Sequence, residues 1–146
     1  MSGVALNGSE IKLSTKSNYI RFRYDWTESD GEGGRDPRHD YGNTDADVIG
    51  KVTCTNQIFL NGVSLAIVGD KTTESWKANP PPSAPRGRIT SVTPGRSGSG
   101  EGEVSGGSTK VFYKGKAVAL IGSSVKTMLD TDTNIETGGD KINISS

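Results

Sequence analysis

Nucleophilic hydrolysis needs a base held beside a serine or cysteine, and this chain of 146 residues offers one histidine, His39, and one cysteine, Cys54. His39 stands in Pro37-Arg38-His39-Asp40, within an acidic stretch where a solvated imidazole is the simplest reading. Cys54 precedes an apolar run, where a partly buried thiol behaves as a small hydrophobe. No Gly-x-Ser-x-Gly elbow occurs anywhere in the chain. A small metallohydrolase using His39 and Cys54 therefore rests on two residues that nothing in the spacing joins.

Other chemistries fare no better. The run Gly95-Arg96-Ser97-Gly98-Ser99-Gly100-Glu101-Gly102-Glu103 lacks the Gly-Lys-Ser/Thr that sets a lysine and a hydroxyl on phosphates, and Gly115-Lys116 is followed by Ala117. It reads as a flexible linker. Asp130-Thr131-Asp132-Thr133-Asn134 opens like a calcium loop, but Ile135 takes the glycine position and Lys141 the position of the bidentate glutamate. An exposed strand with alternating polar residues explains it. The acids between Glu28 and Asp47 have neither the fixed separation nor the apolar setting of an acid/base pair. Trp26 reads as the end of a core face, and Trp76 as a contact residue that could stack on a ligand such as a glycan.

The elements that would position such groups are strands. Ile58 to Gly69 and Val111 to Gly122 are two copies of one pattern, 53 positions apart: Phe59/Phe112, Gly62/Gly115, Ala66/Ala119 and Gly69/Gly122 are identical. Ile58/Val111, Leu65/Val118 and Val68/Ile121 are aliphatic exchanges. Each copy predicts a hairpin, with its turn at Gly62 or Gly115 and its exit at Gly69 or Gly122. At the exits, the Asp70 carboxylate and the Ser123 hydroxyl suit turn capping. Gly138 to Ile144 aligns with the start of the second copy and suggests a shortened third.

Ahead of the first copy, Ile20, Phe22, Tyr24 and Trp26 alternate with Tyr19, Arg21, Arg23 and Asp25, a strand signature. A weaker strand is expected over 3–14, with Ile11 and Leu13 on one side. Residues 27–47 and 74–103 read as two long loop insertions, the first with net charge −5 and the span 77–103 with net charge +2. Arg86 to Pro94 could hold one short strand. No window shows helical spacing, so the fold class is all-β, one domain over 1–146.

Hydrophobic content is 31% with 20 glycines, which implies a thin core. Net charge is zero, giving no electrostatic basis for nucleic acid. The opening residues lack a basic and then apolar leader, and no apolar run is long enough to span a bilayer. The expectation is a chain made without a classical export signal, with no stable membrane insertion.

The segments Thr55 to Asp70 and Ser105 to Gly122 resemble the hairpin unit of PAAR-domain proteins, and the resemblance covers about 50–145. It implies a non-enzymatic β cone with pseudo-threefold character that caps and sharpens the trimeric spike of a contractile injection system such as type VI secretion, an extracellular injection particle or a phage tail. One tip per spike trimer, delivery outside or into the target cell on firing, and contacts with baseplate proteins or effector cargo would follow. Ile58, Phe59, Leu65, Val111, Phe112 and Val118 would then fill the core or face the spike. Family members commonly hold an apical zinc on histidines and a cysteine; here only His39 and Cys54 could serve, so the zinc is an open expectation. The alternative is a free-standing β module that binds a cell-surface glycan through Trp76.

Overall fold

The computed structural model describes residues 2–55, 58–60 and 62–144. Thirteen strands are assigned among them, and no helix. Seven form one sheet in the order β12-β11-β8-β6-β3-β2-β7: β2 (Ser14–Ser29), β3 (Arg35–Thr53), β6 (Lys71–Asn79), β7 (Arg88–Thr93), β8 (Ser97–Val104), β11 (Ser124–Lys126) and β12 (Asp132–Asn134). Three two-stranded pairs accompany it: β1 (Ser2–Val4) with β13 (Gly139–Ile144), β4 (Phe59–Leu60) with β5 (Val63–Ser64), and β9 (Phe112–Tyr113) with β10 (Lys116–Ala117), all antiparallel. Compactness divides the chain into two units, one of Met1–Ser14, Val48–Ser75 and Ser99–Ser146, the other of Thr15–Asp47 and Trp76–Gly98.

In the first unit, three short segments with the same pattern meet: Val4 to Ser9, Leu65 to Asp70 and Val118 to Ser123. The Ala66 amide donates to the Ala5 carbonyl (2.9 Å), the Ala119 amide to Ala66 (2.8 Å), and the Ala5 amide to Ala119 (3.0 Å). These bonds run round three segments and return to their start. All three alanines are fully buried, as they must be where three backbones approach closely.

The surrounding bonds repeat in step. Asn7 donates to Ser64, Val68 to Ala117 and Ile121 to Gly3. Gly8, Gly69 and Gly122 adopt left-handed φ of 89°, 97° and 94°, and their amides donate to Val52, Val104 and Ile135. Those three side chains, with Ile11, Val125 and the alanines, make the apolar core of the unit.

The third segment therefore lies at the start of the chain. Residues 138–144 were expected to carry a third copy; they supply β13, which pairs with β1, so that the two ends of the chain together form an arm. Within 3–14 the expected one-sided strand fails. Ile11 is buried at an isolated bridge to Ile135, whereas residues 12 and 13 lie in no strand and Leu13 is half exposed.

The long loops expected over 27–47 and 74–103 are largely strands. In the second unit, β2 and β3 are joined by a tight turn in which the Asp30 carboxylate accepts the amides of Glu32 (2.7 Å) and Gly34 (3.0 Å). Acids of β3 are tied down as well: Asp45 accepts the Asn18 amide, and Asp47 accepts Thr15 Oγ1 (2.8 Å) and Asn79 Nδ2 (2.7 Å). Backbone pairing does not require apolar side chains, and these carboxylates each find donors.

β6 alternates fully, with Thr72, Glu74, Trp76 and Ala78 buried. Thr72 Oγ1 bonds the Glu74 carboxylate, which also accepts the Met128 amide (2.7 Å), while Gly102 N–H donates to Thr72 Oγ1 (2.8 Å). The glycine-rich run reads as β8 for a steric reason. A Cβ on Gly98 would stand 2.5 Å from the Trp76 indole nitrogen, and one on Gly100 2.7 Å from Met128 Cε. Glycine on that face makes room for side chains from the neighbouring strands.

Candidate functional site

The two repeat hairpins are built as arms. In β9–β10, Lys114 (φ 49°) and Gly115 (φ 82°) form a two-residue turn with both φ positive, the geometry that suits the twist of a hairpin. Gly62 (φ 83°) closes β4–β5. The Leu65 amide returns to the Ile58 carbonyl (2.8 Å) and the Val118 amide to the Val111 carbonyl (2.9 Å), so each arm is anchored at the same place relative to the alanine ring.

The side chains expected to fill the core or face the spike divide. Val118 is buried; Ile58 and Leu65 are half-buried. Phe59 (60% exposed), Phe112 (56%) and Val111 (36%) are not core residues. A two-stranded arm has no second layer to cover its outer face, so these groups stand in water. Val63, on β5 and 38% exposed, joins them; sequence reading missed it because its counterpart in the second copy is Lys116.

The exits are capped in the same way three times. Leu6 N–H donates to Ser9 Oγ (2.8 Å), Ile67 N–H to Asp70 Oδ2 (3.0 Å), and Leu120 N–H to Ser123 Oγ (2.8 Å). The Asp70 and Ser123 caps were expected from sequence, and the Ser9 cap was not. Its signal was legible: Val4-Ala5-Leu6-Asn7-Gly8-Ser9 differs from Val118-Ala119-Leu120-Ile121-Gly122-Ser123 at one position.

Among the described residues, neither His39 nor Cys54 belongs to a group of three or more ligating side chains. His39 is exposed in the second unit, edge-on to the Tyr41 ring at 5.8 Å, whereas Cys54 belongs to the first unit and packs half-buried against its core. Burial, and then the neighbouring Asp70 carboxylate, push the Cys54 thiol up to about 12, which keeps it protonated at neutral pH. Among the described residues no three His, Cys, Asp or Glu side chains are grouped to hold an ion, so the donor set does not fit a closed zinc site.

Trp76, expected as an exposed contact for a glycan, is 6% exposed. Its ring meets Tyr19 edge-on at 5.3 Å, beneath Gly98. The alternation of β6 buries it. Compared with known proteins, the chain matches no family model, no curated protein and no solved structure.

Proposed function

We propose that this protein is a PAAR-like tip that seats on the end of a trimeric β spike of a contractile injection system, as a structural part. The observation that carries the reading is the ring of alanine hydrogen bonds, which closes after three like segments. A trimer ends in three equivalent edges whose backbone donors and acceptors lack partners. A single chain complements such an end when it supplies three similar arms, and here β4–β5, β9–β10 and the pair of β1 with β13 are joined to the ring by matching bonds.

Exposed Phe59, Val63, Val111 and Phe112 fit this role, since they need a covering surface. Burying each phenylalanine fully is worth about 2–3 kcal/mol, and a stable seat needs upwards of about 1,000 Å² of buried surface. In this reading the thin core is sufficient, because part of the apolar surface is completed by the spike.

The test is to mix the chain with candidate spike trimers and weigh the product by native mass spectrometry. A complex of one chain with three spike subunits, weakened in Phe59→Ser/Phe112→Ser, is expected. A 3:3 complex, or binding indifferent to both phenylalanines, would overturn the proposal.

A further inference from the structure

We propose that the second unit carries a binding site for an acidic saccharide, a sugar bearing a phosphate or carboxylate, in the cleft between Trp26 and the Arg86-Gly87-Arg88 segment. The cleft has a volume of about 740 Å³, lined on its charged side by Arg35, Arg86 and Arg88. The cleft is broadly open to solvent and offers more room than a lone oxyanion fills.

The backbone places these cations deliberately close. Gly87 has φ 65°, and a Cβ there would collide with the Asp25 carbonyl, so the chain entering β7 presses directly on β2. Arg86 and Arg88 then flank that point of contact. Any side chain at position 87 would push them away.

The cleft's acids are already engaged. Asp25 accepts Arg23 Nε (2.9 Å), Arg23 Nη2 (3.1 Å) and Thr90 Oγ1 (2.8 Å). Glu28 accepts the Trp26 indole N–H (3.0 Å) and Arg86 Nη1 (3.3 Å), with Arg38 3.6 Å away. Arg35 spends Nε and Nη2 on Thr27 (2.7 and 2.6 Å). That leaves Arg35 Nη1, the second terminal nitrogen of Arg86, and the whole Arg88 guanidinium without a partner among the described residues. Guanidinium groups with donors to spare recognise oxyanions bidentately, as ammonium groups do not. Every arginine of the chain lies in this unit, and the first unit carries only lysines as cations.

Trp26 supplies the apolar wall. Tyr24 stacks on it at 5.6 Å, and the Arg86 guanidinium lies over the ring at 4.7 Å from its centroid. Arg86, whose side chain is 60% exposed, can swing from the ring to the oxyanion and leave the indole face to the sugar. This inference uses none of the residues of the tip reading and stands or falls apart from it.

Indole N–H resonances, which separate Trp26 from buried Trp76, provide the readout. Titrating the full chain with glucose 6-phosphate or glucuronate should shift the Trp26 signal saturably and leave Trp76 in place. Arg88→Gln should weaken binding about tenfold or more, and Arg96→Gln, outside the cleft, should not. No saturable shift with either acidic sugar, or unchanged binding by Arg88→Gln, overturns the site. Equal affinity for inorganic phosphate removes the saccharide from the proposal, and equal affinity for glucose removes the oxyanion.

Discussion

Replacing Asp70 by alanine separates the repeated cap from an ordinary loop contact. Asp70 is 4% exposed and Ile67 8%, so the Ile67 N–H that donates to Asp70 Oδ2 at 3.0 Å has no access to water. Removing the acceptor leaves a buried donor unsatisfied, which costs about 1–3 kcal/mol. With a urea dependence of about 2 kcal/mol per molar for a chain of this size, the unfolding midpoint should fall by roughly 0.5–1.5 M. Asp70→Ser is the discriminating control. A serine hydroxyl makes the same bond at 2.8 Å at both other exits, so this variant should recover most of the loss. Ser123→Ala should lose stability too, but less than Asp70→Ala, because its bond to Leu120 N–H is only part-buried. Urea titration followed by circular dichroism measures all three. If Asp70→Ser is as unstable as Asp70→Ala, or if Asp70→Ala unfolds with the parent, the equivalence of the three exits is refuted.

Two further outcomes are expected. Gly115→Val should destabilise by about 1 kcal/mol or more from backbone strain alone, because φ is 82° and nothing lies within 4 Å of the added Cβ; thermal melting against Gly115→Asn, which tolerates this φ, checks it. Cys54 supplies a pH test. Its folded pKa is raised to about 12 while an unfolded thiol ionises near about 8.5, so its contribution to stability is fully present below that value and is lost as pH rises towards 12. Cys54→Ala should show a shallower alkaline decline than the parent in paired urea titrations between pH 8 and 11, and parallel curves would refute the assignment.

The all-β class was legible from the absence of helical spacing and from the Ile20 to Trp26 alternation. The duplicated hairpins stood out because their turn needs glycine at Gly62 and Gly115. What the sequence hid, it hid for physical reasons. Thr72 and Glu74 occupy buried positions of β6 but satisfy each other, so a pattern counted in apolar letters skips the strand. Gly98 and Gly100 look like linker residues, yet each vacates space for Trp76 or Met128. Asp45 and Asp47 of β3 read as self-repelling until their donors, Thr15, Asn18 and Asn79, are seen opposite them. For the candidate site, the exposure of Phe59 and Phe112 could not be read from residue type, because an aromatic in a hairpin serves a core or an outer face equally well.

The pairing of β1 with β13 was the hardest to read, and its concealment follows from how it is made. In β4–β5 and β9–β10 a short turn joins both strands, so twelve consecutive residues carry the whole pattern. β1 pairs with β13 across a long sequence separation, and Gly3 accepts from Ile121 as Ser64 accepts from Asn7 and Ala117 from Val68. Half of that pattern stands at each end of the chain, and no local window contains it. The atoms are kept where the letters are not: Ser9, Asp70 and Ser123 differ in type yet offer the same acceptor to the same amide. What this architecture preserves is a hydrogen-bonding position, and that is why an aspartate and two serines can be interchangeable within one ring.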